Sequence, residues 1–325
     1  MAIDPKLREL LELLFCYDRE RVKTVKEEKR LIAHYTTADT AMKIISGRTL
    51  WLRNAGVMND YMEIQYGRSV IEPVLRGQTG KRFFALLDGV KWGLGQRVQR
   101  QFAEHCEHAR ETVFMTSLSE HDQTDALGKL SMWRAYGGPV SGVALLFKGD
   151  VVDLELEPSL EISASPVLYG GPERFDAELQ KVVKGLEARS DLLKEFEPDH
   201  LLSVCGALLQ FSMFSIKHPG FAEECEWRFV HRPFEFAAAH VTSQTVTVNG
   251  IPQTIYEVPF HNPARGPLYD LPQLNLDEIL EGIIIGPCHY PETVFRAFVD
   301  AMQSAGITDP ERRIRVSNIP LRQQW

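Results

Sequence analysis

Two short apolar runs, one opening on a glycine and the other bounded by glycine at both ends, limit what this chain can fold into. Gly142-Val143-Ala144-Leu145-Leu146-Phe147 and Gly282-Ile283-Ile284-Ile285-Gly286 carry no polar side chain at any position. Successive residues of a strand point to opposite sides of its sheet. An unbroken apolar run of this length therefore describes a strand covered on both faces. The chain must build a sheet and lay other elements against it.

Further strands are expected at 31–35, 49–52, 112–119, 162–169, 223–230 and 314–316. The Val-, Thr- and Ile-rich segment 241–259 reads as a hairpin turning at Asn249-Gly250, with Pro252 marking an edge position. Leu7, Leu10, Leu11, Leu14 and Phe15 follow helical spacing, so residues 1–30 form an N-terminal helix. Helices are also expected at 41–46, 61–109 (broken near Gly77 to Gly80), 125–135, 173–217 and 291–304. Together these give one α+β domain over 31–325: a mixed, largely antiparallel sheet with inserted and flanking helices.

The net charge of −8 excludes a molecule that traps nucleic acid through its overall field. The five cysteines are widely spaced, with no Cys-x-x-Cys, which argues against a disulfide framework or a structural zinc site. The N-terminal residues lack a signal-peptide layout and no apolar run has membrane-spanning length, so a cytoplasmic protein without membrane attachment is expected.

The stretch richest in chemistry is Glu223-Glu224-Cys225-Glu226-Trp227-Arg228-Phe229-Val230. Read as a strand, it puts Cys225, Trp227 and Phe229 on a core face and Glu224, Glu226 and Arg228 on the other. Carboxylates two residues apart then lie roughly 7 Å from one another. That separation suits a sugar hydroxyl and a developing positive charge. It is equally the pattern of a solvated strand with a Glu–Arg pair.

Other segments carry candidate ligand contacts. His34-Tyr35-Thr36 ends the first strand, where a histidine can meet a ribose or phosphate or serve as a part-buried structural group. Asn59 and Asp60 either clamp a ligand or cap the following helix. Ser117 and Ser119 share a strand face and can support a neighbouring carboxylate. Met132-Trp133-Arg134-Ala135-Tyr136 combines two aromatics with an arginine that suits stacking on a heterocycle and a bidentate phosphate contact. Packing of Trp133 and Tyr136 onto the core is the alternative. His105 and His108 have weak ligand-like spacing, and no metal is expected. No P-loop, paired-glycine dinucleotide fingerprint or His-Glu-x-x-His occurs.

In their order these segments resemble the bacterial domain-of-unknown-function family numbered 2971. The resemblance runs from His34-Tyr35-Thr36 through Trp51, Asn59-Asp60, Phe114 to Ser119, the Trp133 segment and Glu224-x-Glu226-x-Arg228 to Ile319-Pro320-Leu321-Arg322. A more distant likeness is to the ADP-ribosyltransferases: histidine or arginine on a first strand, a Ser/Thr-rich strand, then Glu-x-Glu. That likeness implies an ADP-ribosyltransferase-like fold and NAD as substrate. His34 would contact the adenosine-side ribose, and Ser117 would brace the carboxylate. Glu226 would bind the nicotinamide-ribose hydroxyl, Glu224 would orient the acceptor, and Trp133 or Tyr136 would stack on nicotinamide. Tyr35, Thr36, Asn59, Arg134 and Arg228 complete the expected contacts. It further implies a transferase or NAD glycohydrolase acting as a toxin or phage-defence effector. The acceptor would be protein, nucleic acid or water, and an antitoxin would be a partner. The alternatives are a non-catalytic nucleotide- or partner-binding module and a metal-dependent hydrolase using His34, Asp60 and Glu226.

Overall fold

The structure is a computed structural model, and it describes residues 4–57, 62–138, 141–153, 158–235, 238–248 and 250–320. By its internal contacts the chain divides into two compact units. One comprises Met1–Lys23, Ala55–Thr112 and Ser165–Glu223. The other comprises Thr24–Asn54, Val113–Ala164 and Glu224–Trp325. The sequence suggested a single domain over 31–325 with helical insertions. In the structure the segments read as insertions gather with the N-terminal helix into a unit of their own.

The first unit is mainly helical. The single N-terminal helix expected over residues 1–30 is instead two helices, Pro5–Leu14 and Cys16–Glu27, separated at Phe15. The Asp4 side chain caps the first by accepting from the Lys6 amide. The helices Met62–Arg76, Gln78–Asp88, Leu94–Thr112, Pro172–Ala188 and Pro198–Phe214 follow. Pro198–Phe214 buries residues nearly all round, from Leu201 and Cys205 to Met213 and Phe214, as a central helix does.

The strands are β1 (Leu31–Thr37), β2 (Thr49–Asn54), β3 (Phe114–His121), β4 (Gly142–Lys148), β5 (Ile162–Pro166), β6 (Leu168–Tyr169), β7 (Ile216–Lys217), β8 (Glu226–His231), β9 (Thr242–Val248), β10 (Ile251–Pro259), β11 (Leu280–Ile285) and β12 (Ile314–Val316). β6 and β7 pair with each other in the first unit. Among the described residues the other ten strands form one sheet, ordered β12-β11-β4-β1-β3-β2-β10-β9 along its main path. β8 joins β3, and β5 joins β8. Along the path every pair is antiparallel except β11 with β12. The mixed, largely antiparallel sheet with helices that the sequence led us to expect is therefore present. The apolar runs that define β4 and β11 lie side by side in its interior, buried along nearly their whole length.

β3 is a branch point. One edge, Phe114 to Ser119, pairs with β8. The other edge is shared: Phe114 and Met115 pair with β2, and Ser119 to His121 pair with β1. The sheet thus forks at β3 into one arm led by β1 and another led by β2. The helix Leu130–Tyr136 packs Met132 and Trp133 onto Leu31, Ala33 and Tyr35 of β1 and Ala144 and Leu146 of β4. The helices Ala38–Gly47 and Pro291–Ser304 pack on the sheet and on each other. Among the described residues no helix is long and apolar enough to cross a membrane.

Candidate functional site

The Glu224 to Val230 stretch does not form one strand. Residues Pro219–Glu224 make a 3-10 turn, Cys225 adopts a left-handed conformation (φ 46°), and β8 begins only at Glu226. Glu224 is thereby removed from the strand, and the expected pair of carboxylates on one face does not exist. The cause is local. The Ser119 hydroxyl donates to the Glu224 carbonyl, and the Lys129 ammonium donates to that carbonyl at 3.1 Å and to Ser119 Oγ at 2.9 Å. The Cys225 carbonyl then accepts from the Glu120 amide at 2.9 Å, and the β8 ladder starts there.

Nor is β8 half-solvated. All six of its residues are buried. Glu226 is 5 % exposed and Arg228 1 %. The guanidinium meets the carboxylate at both ends, Nε to Oε1 at 2.9 Å and Nη2 to Oε2 at 3.0 Å. A charge this deep is tolerated only when paired and hydrogen-bonded, and the fork-to-fork geometry supplies both. On the opposite face of β8, Trp227 Nε1 donates to Glu120 Oε1 at 2.9 Å.

The register shows which candidates meet. Ser119 lies opposite Glu226, Ser117 opposite Arg228, and Ala33 opposite Ser119. Directly opposed residues share a face. Ser117, Ser119, Glu226, Arg228, Ala33 and, two residues on, Tyr35 therefore occupy one side. His34 and Thr36 alternate to the other side, His34 opposite Leu145 and Thr36 opposite Val143 of β4. His34 and Glu226 thus do not face a common cleft across the sheet, which corrects the shared pocket anticipated for them. His34 instead fills the fork. Its Nδ1–H donates to the Ser117 carbonyl at 3.0 Å, where neither β1 nor β2 pairs with β3. Burial lowers its pKa from the ordinary histidine value, against a smaller opposing effect of that hydrogen bond.

Trp133 is a packed residue, 3 % exposed, with Nε1 donating to the Leu127 carbonyl at 2.9 Å. The Tyr35 ring meets it edge-on at 4.8 Å. A Cβ added to Gly128 or Gly286 would fall 2.6 Å or 2.8 Å from its ring atoms. No room remains there for a nicotinamide ring, so the stacking role proposed for Trp133 is corrected to a structural one. Tyr136 packs against the same cluster, whereas Arg134 is exposed. The Tyr35 hydroxyl accepts from the Lys129 amide at 3.0 Å, and burial pushes its pKa up to about 12. Asn59 and Asp60 lie outside the described residues.

Lys129 and Arg53 escaped the sequence reading. Lys129 ties the start of β8 to β3. The only signal for it was its place immediately before the Trp133 helix. Arg53, at the end of β2, donates to Gln253 Oε1 at 3.0 Å, and burial lowers its pKa. Among the described residues no group of three His, Cys, Asp or Glu side chains is placed to hold a metal ion.

No curated protein and no solved structure matches the chain. Residues 132–229, which take in Trp133, Arg134, Glu226 and Arg228, match the model of a family described as "Protein of unknown function (DUF2971)", and there the chain is similar to that family.

Proposed function

We propose that the chain is an NAD-consuming enzyme of the ADP-ribosyltransferase type, or an NAD glycohydrolase on a similar fold, with Glu226 as its carboxylate. One observation carries this reading: β3 and β8, far apart in the chain, are neighbours that put Ser117, Ser119 and Glu226 on one face, while His34, on the other face of β1, is no part of the site. Ser119 lies directly opposite Glu226 with its proton given to the Glu224 carbonyl, and Lys129 beside it adds positive charge. In this reading Arg228 turns onto the diphosphate of the incoming dinucleotide, which it can grip bidentately as it grips Glu226. The released carboxylate then accepts the hydroxyl of the nicotinamide ribose and stabilises the oxocarbenium-like transition state. Glu224, ahead of the strand, is left to orient an acceptor. A toxin or phage-defence role, with an antitoxin as partner, extends the same reading.

The Glu226–Arg228 pair also favours a second reading. A buried, fully engaged pair is what a non-catalytic nucleotide- or partner-binding module would retain as a structural element. The metal-hydrolase alternative loses ground, since His34 and Glu226 project from opposite faces.

Nicotinamide release from NAD separates the two readings. The wild-type protein and Glu226→Gln are compared, with circular dichroism to establish that the variant is folded. Release by the wild type and none by folded Glu226→Gln supports the enzyme. Equal release by both sinks the assignment of Glu226. NAD binding without release, in the presence of cell extract as a source of acceptor, supports the module.

A further inference from the structure

The first unit contains a cavity of about 50 Å³ that the reading above does not use. It lies where the two N-terminal helices join, against the helices Pro172–Ala188 and Pro198–Phe214 and the segment around Ser165. Its walls are mostly apolar, Leu14, Phe175 and Phe211 among them. A site for one water needs about 10–15 Å³ on this measure, so the space holds about three to five non-hydrogen atoms.

Two polar groups in its wall are poorly satisfied. The Asp18 carboxyl accepts from Ser165 Oγ at 3.0 Å, and among the described residues no cation pairs with it. The Ser215 hydroxyl is 3 % exposed and has no hydrogen-bond partner. The contrast with Glu178 in the same wall is informative. The Glu178 oxygens make no well-formed hydrogen bond, but Arg174 lies at 2.9 Å and Lys181 at 2.8 Å, so cations already meet its charge. A carboxyl without an ion pair and an orphaned hydroxyl beside an apolar space are costly unless something enters to meet them.

We propose that this cavity is a binding site for a small primary amine with a short apolar tail. The ammonium group donates to the Asp18 carboxylate, the tail lies against Leu14, Phe175 and Phe211, and Ser215 offers a second polar point. A carboxylate selects an ammonium over a hydroxyl because a charge-assisted hydrogen bond is about twice as strong as a neutral one. Burial pushes the Asp18 pKa up to about 7, against smaller lowering effects of Ser165, its own backbone and Arg19.

The test titrates the full chain with n-butylammonium chloride and, separately, with n-butanol of the same size, reading the melting temperature and the heat of binding. A saturable rise with butylammonium is expected, weakened at least about tenfold in Asp18→Asn, the usual effect of losing a hydrogen bond to a charged group. Ser215→Ala, which leaves the carboxyl in place, should retain binding with reduced affinity. No saturable response in the wild type overturns the proposal. So does an equal response to butanol, which would make the cavity an apolar void only. Undiminished binding in Asp18→Asn overturns it as well.

Discussion

Arg228 grips the carboxylate of Glu226, two residues earlier in the same strand, through Nε and Nη2 at 2.9 and 3.0 Å, with both side chains almost wholly buried. The sequence offered this pair as either chemistry or a solvated stripe, and it is neither exposed nor open. Any carboxylate chemistry at Glu226 first requires Arg228 to leave.

The pair has a measurable stability signature. Removing one partner strands a buried charge and costs about 3–5 kcal/mol, whereas replacing both by apolar residues of similar volume is close to neutral. Urea denaturation should therefore show Glu226→Gln and Arg228→Met strongly destabilised. The double change Glu226→Leu with Arg228→Met should lie nearer the wild type than either. Additive losses would mean that the two groups do not depend on one another.

Trp133 makes a second prediction. Gly286→Ala pushes a methyl group toward the indole ring, where an added Cβ would sit 2.8 Å from Cε3. Overpacking of this kind costs about 1–3 kcal/mol. Gly128→Ala meets the ring at 2.6 Å and must also hold φ at +72°. Both variants should melt earlier, while Arg134→Ala, on the exposed side of the same helix, should melt with the wild type. A normal melt for Gly286→Ala would show that the indole ring has room to move.

The second unit should weaken in mild acid. Burial lowers the pKa values of His34, His121 and His231, each against a smaller opposing effect of a carbonyl hydrogen bond. A histidine depressed in the fold contributes stability that is full above its unfolded value, about 6.5, and is lost as pH falls through the folded value. Melting temperatures measured from pH 7.5 to 5 should decline, and His34→Gln should flatten part of that decline. Ring-proton NMR should place all three titrations below 6.5.

Asp18 predicts the reverse trend. Its pKa is raised to about 7 by burial, against smaller opposing contributions from Ser165, its own backbone and Arg19. The folded protein thus holds this proton where the unfolded chain has released it. The stabilising contribution is full below the unfolded value, about 3.9, and is lost as pH rises through 7. Asp18→Asn should be more stable than the wild type at pH 8, with the difference gone near pH 4. Persistence of the difference at pH 4 would mean that ionisation is not its cause.

Elements declared by local pattern were legible in the sequence. The runs that became β4 and β11, the strands β9 and β10 of the expected hairpin and the helix Pro291–Ser304 all form where periodicity put them, while Asn249 of the expected turn lies outside the described residues. Pro252 also fits its edge assignment, because β10 extends there beyond the pairing with β2, which begins at Ile255. The features that escaped notice depend on residues distant in the chain. Glu224 leaves the strand because Ser119 and Lys129 hold its carbonyl, and strand alternation alone says nothing of either. The burial of Trp133 is set by glycines on three separate segments, Gly128, Gly142 and Gly286, and a local aromatic–arginine motif gives no sign of them. The helical segments carry their own amphipathic faces, but which segments share a core was not written in any one of them.

The fork at β3 bears on how the chain reaches this structure. The arms led by β1 and β2, and β8 on the other edge, all register on a single eight-residue strand. Each arm pairs within itself, β1 with β4 and β2 with β10, but the arms and β8 are joined through β3, whose partners come from distant parts of the chain. Loop closures of that span precede the contacts that reward them, so they are slow. Conservative truncations in β3 should therefore retard refolding, whereas truncations in β9 or β12, at the two ends of the path, should chiefly hasten unfolding.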